Sequence, residues 1–189
     1  MGRPRPEPVS PRIDDPMALL LACHDKVRHF TNLAVRLHQH VQVKGPDGEA
    51  QEAARAVLRY FNVAAPLHHA DEEVDLFPAL MALGDEGLTR TAEHLHAQHA
   101  ELDAMWAALA TALQQVAAGQ AWPEDGPLAG PKGGQRHAPG TLSRPEAFAQ
   151  RYQAHAQDEE DLLYPHAQRL SAAQLQQLAD AMVARRRQP

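Results

Sequence analysis

Thirteen residues recur in this chain in the same chemical order, HHADEEVDLFPAL over 68–80 and HAQDEEDLLYPHA over 155–167. Each copy sets a histidine four residues ahead of a glutamate, His68 before Glu72 and His155 before Glu159. On a helix such side chains point the same way about one turn apart, which is the spacing of a chelating step. Each copy then passes a second acid and an apolar patch to reach a proline ten residues beyond the histidine, at Pro78 and Pro165. A chance histidine–acid pair on a solvated face would not reproduce that tail. The chain therefore has to fold so that two helices each turn an imidazole, a carboxylate and an apolar flank toward a shared interior.

The remaining composition agrees with helices. With 189 residues, 44% of them hydrophobic, the chain suits one domain with a sizeable core. Only 5% are aromatic, and β-branched residues are scarce beside Ala, Leu, Gln and Glu, so intrinsic preference favours helix over sheet. Net charge is -6 and pI near 6.0, and no Lys/Arg cluster alternates with stacking aromatics, which argues against nucleic acid as a partner. The run Arg185–Arg186–Arg187 reads as a solvated helix end, where positive charge suits the dipole. Cys23 is the only cysteine, so no intrachain disulfide frames the fold. The apolar stretch from Met17 to Cys23 is far shorter than the roughly 20 residues a membrane span needs. The expectation is a soluble cytoplasmic protein without a membrane partner.

Along the chain, residues 1–14 form a proline-rich lead-in. Asp15–Pro16 opens a first helix running to about Val41, and Lys44–Gly45–Pro46–Asp47–Gly48 stops it. A second helix runs from about Glu49 to Leu83, with Pro66 bending or interrupting it and Pro78 bringing a further bend or an early end. A third covers Leu88 to Ala118. Gly and Pro concentrate in a loop over 119–142, after which Ser143–Arg144–Pro145–Glu146 reads as a capping box opening a fourth helix. A second box, Ser171 to Gln174, opens a shorter helix with Leu175, Leu178, Met182 and Val183 on one side. The fold class expected is all-α, an up-and-down four-helix bundle with a short additional C-terminal helix, spanning 15–187. In that order the two cassette helices are diagonal partners.

Every bundle helix then supplies an imidazole: His24 in the first, His68 in the second, His94, His96 and His99 in the third, His155 in the fourth. Glu72 and Glu159 add carboxylates able to bridge two cations. Mixed imidazole and carboxylate donors suit iron, manganese or zinc better than a thiolate-seeking metal. Two cations would also compensate glutamates that are otherwise expensive to ionise inside an apolar bundle. Neighbouring residues on a helix lie about 100° apart, so of Glu159 and Glu160 only one points inward, and the parallel with His68–Glu72 selects Glu159. His38, His40, His137 and His166 are assigned to surface or supporting roles.

With LLACHDKVRHF around His24, the two cassettes, and AQHAELDAMWAAL around His99, the chain resembles the hemerythrin-like, or HHE cation-binding, domain proteins over about residues 15–185. The resemblance implies a non-heme di-iron centre within the bundle, its two iron ions joined by an oxo or hydroxo bridge and by carboxylates, with manganese or zinc as substitutes. Carried over by position, His24 and His68 look like ligands of one iron, His99 and His155 of the other, and Glu72 and Glu159 like bridges. Oxygen carriers of the family have two helix-3 histidines four residues apart, whereas here Leu95 and Asp103 flank His99 at that distance. His96, three residues away, is the candidate for the extra ligand. The carriers also place the helix-4 acid one residue later than Glu159, and they lack the 119–142 loop.

The expected function is a metalloprotein that binds or senses dioxygen or iron state, its partner being dioxygen, another small diatomic, or peroxide. Two alternatives stand beside it. One is a di-iron enzyme acting on peroxide or nitric oxide, or an iron-donating repair protein. The other is a regulatory binding module whose metal is mainly structural, its last helix or its loop contacting a protein partner that the sequence does not name.

Overall fold

The computed structural model describes residues 15–123 and 144–187. The lead-in 1–14, most of the 119–142 loop and the box residue Ser143 lie outside these described residues. Helix α1 spans Pro16–Lys44, with Asp15 Oδ1 accepting from the amides of Met17 (2.9 Å) and Ala18 (3.1 Å) as the sequence predicts. Gly45 closes it with φ of 79°, a conformation that L side chains rarely adopt. Helix α2 covers 48–81, capped by Asp47 on the Ala50 amide. Helix α3 is Glu86–Ala117, α4 is Pro145–Leu162 and α5 is Ala172–Arg187. Helix α3 starts at Glu86, two residues earlier than the expected Leu88, because Asp85 caps it by accepting from the amides of Gly87 and Leu88. The box at Ser171 forms reciprocally, Ser171 N–H to Gln174 Oε1 (2.9 Å) and Gln174 N–H to Ser171 Oγ (3.3 Å).

The two prolines of α2 act through widened turns. Tyr60–Ala64 and Asp71–Leu76 are π-helical, and each runs directly into a short α-helical stretch with proline at its second position, Ala65–Ala70 and Phe77–Met81. Proline lacks an amide donor and crowds the preceding turn, so a shift to i→i+5 bonding absorbs the lost bond without ending the helix. The Ala65 amide accordingly bonds the Tyr60 carbonyl, and the Phe77 amide bonds that of Glu72. The helix thus passes both prolines, and the second widened turn holds Glu72 directly after His68 and His69.

Helix α1 packs against α2 and α4, and α3 packs against the same two, giving an up-and-down bundle in which the cassette helices α2 and α4 are diagonal. The apolar interior has two parts. One gathers Val27, Leu37, Val57, Phe61, Leu102, Leu109, Phe148 and Tyr152; the other gathers Leu20, Leu76, Leu80, Leu95, Leu163, Leu178 and Met182. Along every bundle helix the cassette-level histidine falls between a residue of one part and a residue of the other, as His24 does between Leu20 and Val27. A polar layer therefore crosses the middle of the bundle with apolar packing above and below. Each fully buried leucine of those caps contributes about 1.5–3 kcal/mol, which offsets the cost of the layer between them. Helix α5 covers one end with Leu178, Ala179 and Met182 buried, so its apolar side is taken up by the chain itself. Among the described residues no helix is long and apolar enough to cross a membrane.

Candidate metal centre

Six side chains expected to converge do so. His24, His68, Glu72, His99, His155 and Glu159 are all buried, and they come from four helices. Potential ligand atoms fall into two groups, His24–His68–Glu72–Glu159 and His69–His99–His155, each with its atoms within 4.8 Å of one another. The two carboxylates link the groups. Glu159 Oε2 lies 3.1 Å from His24 Nε2, while its Oε1 lies 3.1 Å from His155 Nε2 and 3.6 Å from His99 Nε2. Glu72 is disposed likewise, Oε1 3.6 Å from His68 Nε2 and Oε2 3.6 Å from His99 Nε2.

His96 is not brought into this set. It lies three residues before His99, a rotation of about 60° on an α-helix, and that turns its side chain outward to 61% exposure beside Glu73. The additional imidazole comes from His69, buried and stacked on His99 with ring centroids 3.9 Å apart. His68 and His69 diverge by about 100° around α2, so one helix serves both groups. Glu160 stays at the edge with 20% of its side chain exposed, where it accepts from His24 Nδ1 (2.8 Å) and Arg28 (2.8 Å).

Outer partners fix which imidazole nitrogens face inward. His24 Nδ1 is held by Glu160, His99 Nδ1 by Glu73 at 2.6 Å, and His155 Nδ1 by Gln98 Oε1 at 2.9 Å. Carboxylate and amide oxygens accept, so these Nδ1 atoms donate and the Nε2 lone pairs point into the centre. This is how metal-binding histidines are oriented in general. A consequence appears between His99 and His155, whose Nε2 atoms lie 3.0 Å apart with both lone pairs directed inward. Only a cation, proton or metal, satisfies both. Both nitrogens of His68, Oε2 of Glu72 and both oxygens of Glu159 are buried without a hydrogen-bond partner among the described residues. Polar atoms left so are costly unless something coordinates them, and this donor set fits a pair of first-row cations.

Electrostatics point the same way. Burial pushes the Glu72 carboxyl well above its ordinary range, and the adjacent Glu159 adds to the rise. For Glu159 burial acts upward too, but the imidazoles of His155, His24 and His99 close beside it outweigh that and hold the carboxyl well below its usual range. Burial lowers His68 to about 3 and His69 to about 2, with neighbouring imidazoles assisting, so both stay neutral and fit to coordinate. Burial opposes charge on His99 as well, yet Glu159 and Glu73 raise its pKa. Two tyrosines flank the centre. Tyr164 donates to Glu72 Oε1 (2.5 Å) and lies 3.1 Å from His24 Nε2, and the Tyr152 hydroxyl is 2.7 Å from His69 Nε2. Burial raises both phenols well above their ordinary value, so each keeps its proton.

Arg185 and Arg186 are paired rather than solvated, contrary to the reading from sequence, while Arg187 is exposed as that reading has it. Arg185 bonds the fully buried Asp71 and also Asp75 (2.6 Å), and Arg186 bonds the other oxygen of Asp71 (2.6 Å). Both acids belong to the widened turn that carries Glu72, so α5 grips the ligand-bearing segment of α2. A short basic run has no local signature for a partner over a hundred residues away.

Comparison with known proteins agrees with this geometry. The model of the hemerythrin HHE cation-binding domain matches residues 15–167. An uncharacterized protein of Haemophilus influenzae is 32% identical over 173 residues, covering 92% of this chain and 91% of the relative. Four bundled helices with two histidine–glutamate steps facing one interior, together with a family match over most of its length, make this chain a member of the hemerythrin HHE cation-binding domain family.

Proposed function

We propose that the protein is a non-heme di-iron protein that binds or senses dioxygen or iron state. The observation that carries this reading is Glu159, whose two buried oxygens face different histidine groups and have no hydrogen-bond partner among the described residues. His24, His68, Glu72 and Glu159 would hold one ion and His69, His99 and His155 the other, with Glu72 and Glu159 shared between them. Two irons held in this way supply two-electron redox chemistry and affinity for small oxidants. Manganese or zinc would fit the same donors.

The chain's own residues do the rest. Glu160, Glu73 and Gln98 orient three imidazoles, and the apolar layers above and below exclude water from the donors. Tyr164 holds its proton against Glu72, and the Tyr152 hydroxyl lies 2.7 Å from His69 Nε2, whose N–H donates to it when His69 coordinates through Nδ1. These two hydroxyls favour a second reading, reduction of peroxide or nitric oxide, because each keeps a proton within hydrogen-bond reach of a ligand side chain. Oxygen uptake by anaerobically iron-loaded protein separates the readings. Stoichiometric uptake with an optical change and no continued consumption under reductant supports binding or sensing. Sustained consumption of peroxide or nitric oxide with reductant supports the enzyme, and an unchanged spectrum with no dioxygen uptake and no consumption of either substrate refutes both.

A further inference from the structure

Two arginines of α5 span the turn of α2 that carries Glu72. Arg185 bonds Asp71 and, through its other terminal nitrogen, Asp75 (2.6 Å), so one guanidinium reaches along the widened turn Asp71–Leu76. Arg186 donates to the second oxygen of Asp71 (2.6 Å) and to the Met182 carbonyl of its own helix (3.0 Å). Asp71 is fully buried although it belongs to neither donor group. A buried ion pair is a weak source of stability, because desolvation offsets its Coulomb gain, and what such pairs are best attested to supply is fixed register. Register matters at this turn. The Phe77 amide bonds the Glu72 carbonyl in i→i+5 fashion, whereas His68 sits in the ordinary α-helical stretch before it. A return to i→i+4 bonding would rotate Glu72 relative to His68 and move its oxygens off His68 and His99, each of which one oxygen faces at 3.6 Å. Helix α5 also packs on α1, where Arg186 lies beside Cys23, the residue before His24. It lies beyond residues 15–167, the stretch matched by the family domain.

We infer that Arg185 and Arg186 are positioning residues of the metal centre: by clasping Asp71 and Asp75 they hold the widened turn in the register that presents Glu72 to both donor groups. They act through the backbone of the turn and not on the ions. Coupling of this kind is reciprocal, so occupation of the centre tightens the clasp by the same factor by which the clasp tightens metal binding. The last helix thereby responds to a centre it does not ligate, held firmly when the centre is loaded and loosened when it is empty. This inference rests on the metal-centre reading above.

Arg185→Lys tests this without changing charge. A lysine ammonium compensates one carboxylate but lacks the fork that reaches both Asp71 and Asp75, so Asp71 stays paired, with Arg186 still on it, while the clasp across the turn opens. Ferrous iron under anaerobic conditions is the probe, its affinity read by competition with a chromophoric chelator well below the unfolding temperature. Arg185→Lys should weaken iron binding by about tenfold, inside the roughly 5–150-fold usual for coupled sites, while Arg187→Lys at an exposed position leaves it unchanged. A merely structural role would lower Tm and leave the affinity of the folded protein as it was. The second measurement needs no variant. Amide hydrogen exchange at a chain end reports local opening rather than global unfolding, so iron should slow exchange over residues 182–187 of the wild type by about the same tenfold. That measurement decides if Arg185→Lys does not fold. An Arg185→Lys affinity within about twofold of wild type overturns the proposal, as does equal weakening by Arg187→Lys, or exchange over 182–187 that iron leaves unchanged. Wild-type protein that binds no iron refutes the metal-centre reading instead, a failure recognisable before any variant is compared.

Discussion

Replacing Glu72 by glutamine should stabilise the metal-free protein and weaken the metal-loaded one. Burial and Glu159 together hold the Glu72 carboxyl well above its reference value of 4.5. With the folded pKa above the unfolded one, the native state binds that proton more tightly, so stability is lost as pH rises from about 4.5 toward the folded pKa. At pH 7.5, three units above the reference, the loss is bounded at about 4 kcal/mol, taking 1.36 kcal/mol per unit. Glutamine removes it, but introduces a buried amide donor whose desolvation costs about 1–3 kcal/mol if unmet. Tyr164 can still donate to the remaining oxygen. The net gain expected is about 1–3 kcal/mol, and each kcal/mol raises Tm by about 2–4 °C for a chain of this size. The gain should vanish near pH 4.5. In metal the sign reverses, because ions at about a hundred times their dissociation constant stabilise the wild type by roughly 2.7 kcal/mol, which the variant forfeits. Thermal melts of chelated and iron-loaded forms of both proteins at the two pH values test the crossing. A variant whose chelated form melts lower than wild type by the same amount at both pH values would show that Glu72 is held by ordinary packing.

His69→Ala should reduce bound iron toward one ion per chain while His96→Ala leaves it unchanged, read by metal analysis after desalting; the reverse order would restore His96 as the ligand. In a Glu72→Gln background, where the opposing carboxyl is gone, the metal-free protein should lose stability as pH falls below 6.5. His68 and His69 have folded values near 3 and 2, so each withdraws about 1.4 kcal/mol per pH unit on the way down, visible as a falling urea midpoint. Removing both Arg185 and Arg186 should cost about 3–5 kcal/mol by leaving Asp71 charged and buried. Adding Asp71→Asn should recover part of that loss in the same denaturation assay.

The helix order, the Asp15 cap, the Ser171 box and the two histidine–glutamate steps were legible because each depends on residues within a turn of one another. Which glutamate of the pair 159–160 faces inward followed from helix geometry, which admits one of them, together with the parallel with His68–Glu72, which selects Glu159. The exchange of His96 for His69 did not. Sequence spacing placed His96 close to the His99 face, but the rotation between them turns His96 outward, and α2 supplies a second imidazole beside His68. Two adjacent histidines in HHADEE were the available signal, but the four-residue step to Glu72 picks out only His68 and assumes one target, whereas α2 faces two groups of ligand atoms. Pro66 and Pro78 announced a disturbance of α2 without saying whether it would be a bend, a stop or the widened turns observed. The grip of Arg185 and Arg186 on Asp71 is a product of tertiary packing and has no local sequence pattern.

Anaerobic reconstitution with ferrous iron, followed by counting ions per chain in wild type, Glu159→Gln and Glu160→Gln, tests the central claim most directly. The account predicts two ions in the wild type, one for each ligand group, and a greater loss from Glu159→Gln, whose carboxylate both groups share, than from Glu160→Gln, which only orients His24. Wild-type protein that retains no stoichiometric iron, or a greater loss from Glu160→Gln, would contradict it.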